Sequence, residues 1–335
     1  MPYLNKKRLN VRLVTASLIM HKYKKQRSFH MRKKITTEEY EEITPYDNLG
    51  REHYGTDEGY GLHSWNYTPN QFTLVGRNKY KERFGVEIEI DKGSYGRECC
   101  EEIRNLCSDN IYLKHDGSLI NGIEIVSMPA TLASHRNPKI IPWKRILETA
   151  KNCGFRSHNA KTCGLHVHVD RKFFGDSQRE QTINIAKLIL LMDKFWDKLV
   201  IFSRREEYEL NRWASRINWY TADTKTMINE HYNDPRYIEK YLLEQMSYSF
   251  DKQEDHDERY KCLNIQNSNT VEFRLFRGTL KYSTFMACIE LVSELIHSAR
   301  NIPVNKITEI EWLDVVGNTQ FPELKEYLIE KNLFF

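Results

Sequence analysis

The chain predicts an α+β protein, in which a mainly antiparallel or mixed sheet carries charge on one face and is covered by helices on the other. Two observations carry this. Phe84–Ile90, Leu165–Asp170 and Thr270–Phe276 each alternate apolar with charged or imidazole side chains, the two-residue period of a strand. Ser177 to Phe202 and Ser283–Arg300 are long, mostly apolar stretches that read as helices able to cover the apolar side.

The remaining elements follow in order along 335 residues, a length that supports a sizeable core. Residues 1–55 read as a basic arm and a polar lead-in, and 56–335 as the catalytic domain. Glu98–Leu106 predicts a short helix. Ile111–Lys114 and Ile123–Ser127 predict strands joined through Asp116-Gly117 and Asn121-Gly122, both turn formers. Trp143–Asn152 predicts a helix, with Gly154 as its stop. Ser177 and Glu180 have the spacing of a capping box ahead of the first long helix. Pro322–Lys331 predicts a final helix. Ala222 to Asp257 is charged and Tyr-rich, and reads as loop that could cover a site.

Composition narrows the class. With 40% apolar residues the chain should fold, and a net charge of +4 implies no partner by itself. Charge is uneven, however: Met1 to Lys34 holds no Asp or Glu and is rich in Lys and Arg. Such an arm could contact nucleic acid, although a solvated terminus is the simpler account, and translation from Met31 would remove most of it. No stretch reaches the roughly 20 apolar residues of a membrane span, and no secretory signal is visible. Seven cysteines, an odd number without framework spacing, suit a reducing compartment and predict a cytoplasmic protein. The sequence does not fix the oligomeric state.

The strands concentrate the chemistry. In Gly85–Asp91 the carboxylates Glu87, Glu89 and Asp91 share a face, where like charges repel unless cations intervene. Oxygen-rich groups of this kind suit Mg²⁺ or Mn²⁺, although a strand face open to water also tolerates them. His166 and His168 share a face and could bind metal or, when protonated, phosphate. Glu272 and Arg274 project together, with Arg277 at the strand's end, which fits either an ion pair or a metal ligand beside a phosphate-binding guanidinium. Asp116 lies in a turn and Glu124 in the strand after it. Arg204 and Arg205 follow the long helix and could neutralise polyphosphate or complement the helix dipole. No Gly-rich phosphate loop of either common type is present. Read from the residues alone, three functions stay open: an ATP- and metal-dependent ligase, a metal-dependent hydrolase or cupin-like oxygenase without ATP, and a nucleic-acid-binding protein.

Five segments in this order, GVEIEI, DGSLINGIEIVSMP, CGLHVHVD, SRRE and VEFRLFRGTL, together with HSWNYTPNQF upstream, resemble the amidoligase family found in phages and bacterial gene clusters. That family sits in the carboxylate–amine ligase superfamily of glutamine synthetase and glutamate–cysteine ligase. The resemblance spans roughly His63 to Arg300. It implies a curved, mainly antiparallel, glutamine synthetase-like sheet and an ATP-dependent ligase that forms an amide through an acyl phosphate. Its substrates would be small-molecule or peptide carboxylates and amines. It also implies Glu87, Glu89, Glu124, His166 and Glu272 as metal ligands, Arg274 with Arg204, Arg205 and Arg277 on ATP phosphate, and catalytic contributions from Arg274, His168 and Asp116.

Overall fold

Eight strands form one open mixed sheet that carries the charged side chains on a single face. The computed structural model describes residues 45–47, 56–57, 62–64, 67–76, 82–93, 97–106, 109–251 and 258–334. The basic arm and the alternative start at Met31 lie outside them, as do Trp65 and Asn66 of the upstream segment. Residues 42–335 make one compact unit.

The strands are β1 (Pro45–Asp47), β2 (Thr56–Asp57), β3 (Leu62–His63), β4 (Gln71–Thr73), β5 (Phe84–Ile90), β6 (Ile111–Lys114), β7 (Ile123–Ser127), β8 (Gly164–Asp170), β9 (Leu263–Asn264) and β10 (Thr270–Arg277). The large sheet runs β2-β3-β6-β7-β5-β8-β10-β9, and β1 pairs with β4 in a separate ribbon. Every pair in the large sheet is antiparallel except β3 with β6. The three strands whose alternation is strongest, β5, β8 and β10, are neighbours at its centre.

Their apolar sides explain the core. Val86, Ile88, Leu165, Val167, Val169, Val271, Phe273 and Leu275 have no exposed surface, each such burial stabilising by roughly 1.5–3 kcal/mol. Helix Tyr282–Asn301 is buried along most of its length and packs on helices Gln178–Lys194 and Pro322–Glu330. Phe285 on it meets Trp143, with ring centroids 4.6 Å apart. Among the described residues no helix is long and apolar enough to cross a membrane.

Three expectations are corrected. The stretch from Ser177 to Phe202 is two helices, Gln178–Lys194 and Trp196–Ser203, separated at Phe195. The buried Asp193 carboxylate just before the break accepts from the backbone N–H groups of Asn218, Trp219 and Tyr220, a tertiary demand that apolar periodicity does not reveal. Within the stretch from Ala222 to Asp257, residues 222–251 are mostly helical, as Ala222–Glu230 and Pro235–Asp251, and residues 252–257 lie outside the described residues. Thr221 caps the first by accepting from the Thr224 N–H, and Pro235 takes the first helical position of the second, where no N–H is needed. The third concerns cysteine: Cys99 and Cys153 form a disulfide between helices Arg97–Leu106 and Trp143–Asn152.

Candidate active site

Register builds the site. Across β5 and β8, Glu87 stands opposite His166; across β5 and β7, Glu89 stands opposite Glu124. Lys114 on β6 faces Glu124, and Glu272 on β10 faces His168. Strict alternation then puts Tyr112, Lys114, Glu124, Glu87, Glu89, His166, His168 and Glu272 on one side of the sheet.

A bulge completes the arrangement. The β8–β10 register shifts between Phe273, opposite Val167, and Phe276, opposite Leu165. One extra residue on β10 therefore faces His166. Without it Arg277 would share the apolar side of Phe273; with it Arg277 pairs with Gly164 on the polar side, beyond Arg274. Phe276 turns to the apolar side and meets Phe202, with centroids 6.0 Å apart.

The side chains converge. His166 Nδ1 lies 3.5 Å from Glu87 Oε2 and 3.5 Å from Glu272 Oε1. His168 Nε2 lies 3.4 Å from Glu87 Oε2. Lys114 Nζ is 2.9 Å from Glu124 Oε2 and 3.9 Å from Glu87 Oε1. Glu272 takes hydrogen bonds from Arg274 Nη1 on one oxygen and from Asn264 Nδ2, at 2.9 Å, on the other.

Burial sets the electrostatics. Desolvation would raise the Glu87 carboxyl, but His168, Lys114 and His166 hold it well below the usual range. Glu272 is likewise lowered, by His168, Arg274 and His166 against its burial. Glu124 goes the other way: burial, with Glu87 and Glu89 close by, pushes it well above the usual range despite Lys114. The His168 imidazole is raised, because Glu87 outweighs the effect of burial. Glu87 and Glu272 are thus relaxed by neighbouring cations, and Glu124 is not.

Two groups of three have donor atoms within 4.8 Å of one another: Glu87, His168 and Glu272, and Glu87, Glu124 and His166. Glu87 is common to both. Carboxylate oxygens are the ligands that Mg²⁺ or Mn²⁺ prefers, whereas imidazole nitrogen is commoner on Zn²⁺ or Fe²⁺. His168 Nε2 is buried against Glu87 Oε2, while its Nδ1 lies 3.5 Å from Thr270 Oγ1. A hydrogen bond from Nδ1–H to that hydroxyl would leave the Nε2 lone pair for a cation.

The arginines form an adjoining cationic end. Arg204 and Arg277 bond each other's carbonyl oxygens, at 3.3 and 3.1 Å, and Arg205 Nη2 donates to Phe276 O at 3.1 Å. Arg204 holds a left-handed conformation, φ 63°, at the end of helix Trp196–Ser203. The Nε atoms of Arg204, Arg205, Arg274 and Arg277 are all buried without a hydrogen-bond partner. Burial and the proximity of Arg204, Arg277 and Arg156 together push the His158 imidazole down.

Not every expected residue joins this cluster. Glu89 is in neither three-residue group; its carboxylate accepts from Gly164 N–H and lies near Arg205. His168, expected near phosphate or substrate, instead stands in a metal-competent group. Asp116 accepts from the Ser118 N–H at 2.7 Å and from its hydroxyl, and so closes its own turn. Asp91 is fully buried and takes hydrogen bonds from Thr162, Asn121, Lys92 and Ile120, which hold the neighbouring loop in place. Cys163 is buried, and its thiol is pushed up by that burial and by Glu89. Lys114 and Asn264 were missed. Alternation within Ile111–Lys114 could have found Lys114; Asn264 sits on a two-residue strand with no pattern to read.

At the far edge of the same face, His63 stacks on Tyr67, with centroids 3.5 Å apart, and Tyr112 meets Tyr67 edge-on at 5.4 Å.

An open sheet that gathers carboxylates, imidazoles, guanidiniums and one ammonium on one face defines an α+β protein with a charged candidate active site. The model of the family described as putative amidoligase enzyme matches residues 101–296, more than half of the chain, and the chain belongs to that family. The match includes every candidate residue above from Lys114 to Arg277. No curated protein matches the chain.

Proposed function

We propose that the protein is an ATP-dependent carboxylate–amine ligase of the glutamine synthetase and glutamate–cysteine ligase superfamily. The observation that carries this reading is the two-ended face: metal-competent carboxylates and imidazoles joined through Glu87, beside four arginines with buried, unpartnered Nε groups.

Glu87, Glu124, Glu272, His166 and His168 are the residues that would hold Mg²⁺ or Mn²⁺. Bound metal would supply positive charge against phosphate oxygens. Arg204, Arg205, Arg274 and Arg277 bind the phosphates of ATP and stabilise charge on the transferring group, as planar, permanently charged donors do. A substrate carboxylate oxygen attacks the γ-phosphorus and ADP leaves. An amine nitrogen then attacks the acyl carbon, phosphate departs, and the amine's extra proton is lost to solvent. Glu89 orients Arg205, and Asp116 shapes the turn that follows Lys114.

Activation is needed because a carboxylate and an amine do not condense usefully in water. The test is calorimetry with ATP, with and without Mg²⁺, followed by ADP release across paired acids and amines. Metal-dependent nucleotide binding that Glu272→Gln abolishes is the expected result. Heat signals that ignore both metal and the substitution would reject the reading.

A further inference from the structure

Glu87 serves two groups of possible ligands, but the groups are not equivalent. In the first, Glu87, His168 and Glu272, the imidazole Nε2 is buried 3.4 Å from Glu87 Oε2, its neighbour in the group. Glu272 is oriented by Arg274 and Asn264, yet a carboxylate has about four lone-pair positions, so these bonds leave acceptors over. In the second, Glu87, Glu124 and His166, a protein cation is already seated. Lys114 Nζ lies 2.9 Å from Glu124 Oε2 and 3.9 Å from Glu87 Oε1, two of that group's three donors.

Lys114 is not a casual surface visitor. Its backbone is fixed opposite Glu124 in the β6–β7 ladder, and its side chain is largely covered. An ammonium is a compact point charge, unlike a delocalised guanidinium, and can stand where a metal ion would.

We propose that Lys114 fills the second cation position, so that the protein holds one divalent ion, on Glu87, His168 and Glu272, rather than a bridged pair. The inference rests on the metal reading of the proposed function. Position supports it: an ion in the second group would have to stand where Lys114 Nζ already approaches two of the three donors.

The test is Mn²⁺ binding to the full chain without nucleotide, followed by the electron paramagnetic resonance signal of free Mn²⁺. The wild-type protein should bind one ion per chain, and Lys114→Met, which keeps the stem and removes the charge, should bind two. Should Lys114→Met fail to fold, a second pair decides: Glu124→Gln keeps the single ion and His168→Asn loses it. Two ions on the wild-type protein, or loss of the ion in Glu124→Gln but not in His168→Asn, would overturn the proposal while leaving a metal site standing. No Mn²⁺ on the wild-type protein would remove the metal reading together with the proposal.

Discussion

Glu87 stands in register with His166, and one oxygen of its carboxylate lies 3.5 Å from that imidazole and 3.4 Å from His168. No other residue belongs to both metal-competent groups. Glu87→Gln keeps the shape of the side chain and removes its charge. Turnover of ATP should fall by at least about 100-fold, the scale at which even outer partners of metal ligands act, and Mn²⁺ affinity should fall with it. Circular dichroism should be unchanged, because the apolar side of β5 is untouched. Retained Mn²⁺ binding in the folded variant would remove Glu87 from its central place.

Gly164 is the one position on β8 where a side chain is excluded by the site itself. A Cβ there would sit 2.6 Å from Arg205 Nη2 and 2.8 Å from His166 Nε2. Gly164→Ala should therefore displace the guanidinium and the imidazole together and lower turnover by about 100-fold, the usual effect of a misplacement near 1 Å. Gly117 is the control, since nothing lies within 4 Å of a Cβ built there. If Gly117→Ala and Gly164→Ala behave alike, the packing of Arg205 against the strand does not matter to the reaction.

The charged face was legible because alternation is a local property: Glu87 and Glu89, or His166 and His168, declare a shared side within seven residues. Which strand lies beside which was not legible, and so neither was the sharing of Glu87 between groups. The bulge in β10 was hidden too. Strict alternation would place Arg277 on the apolar side, and only the pairing with Leu165 and Gly164 shows the shift. Lys114 was overlooked because a lysine at a strand end usually faces solvent; its role comes from Glu124 across the ladder, ten residues on. Asp116 illustrates a local role that its motif does carry: in the structure its carboxylate closes the turn by accepting from Ser118.

His135 predicts a pH dependence of stability. It is fully buried, accepts from Trp143 Nε1–H at 3.0 Å on Nδ1, and so donates from Nε2 to Phe84 O at 2.8 Å. Burial pushes its pKa down to about 4. The unfolded chain takes up that proton near pH 6.5, so stability is fully present above this value and is lost as pH falls toward 4. The slope is at most about 1.4 kcal/mol per pH unit. Urea midpoints at pH 7 and pH 5 should differ more for the wild-type protein than for His135→Gln. Equal pH slopes in the two proteins would exclude a neutral, buried His135.

The last prediction concerns Cys99 and Cys153. Spacing could not pair them, since 54 residues separate the two, but packing does: helix Arg97–Leu106 lies against helix Trp143–Asn152. A cross-link over a loop of that length restricts the unfolded chain and is worth about 4 kcal/mol in the loop-entropy account. By contrast, the Cys163, Cys262 and Cys288 thiols are buried and pushed up, which leaves them inert to mild oxidants. Under non-reducing conditions a peptide map should join the segments that contain Cys99 and Cys153, and dithiothreitol should lower the melting temperature. Cys153→Ser should melt at the reduced temperature and be insensitive to reductant, because the bond it lacks is the one that reductant breaks. If reductant shifts Cys153→Ser as far as it shifts the wild-type protein, another pair carries the effect.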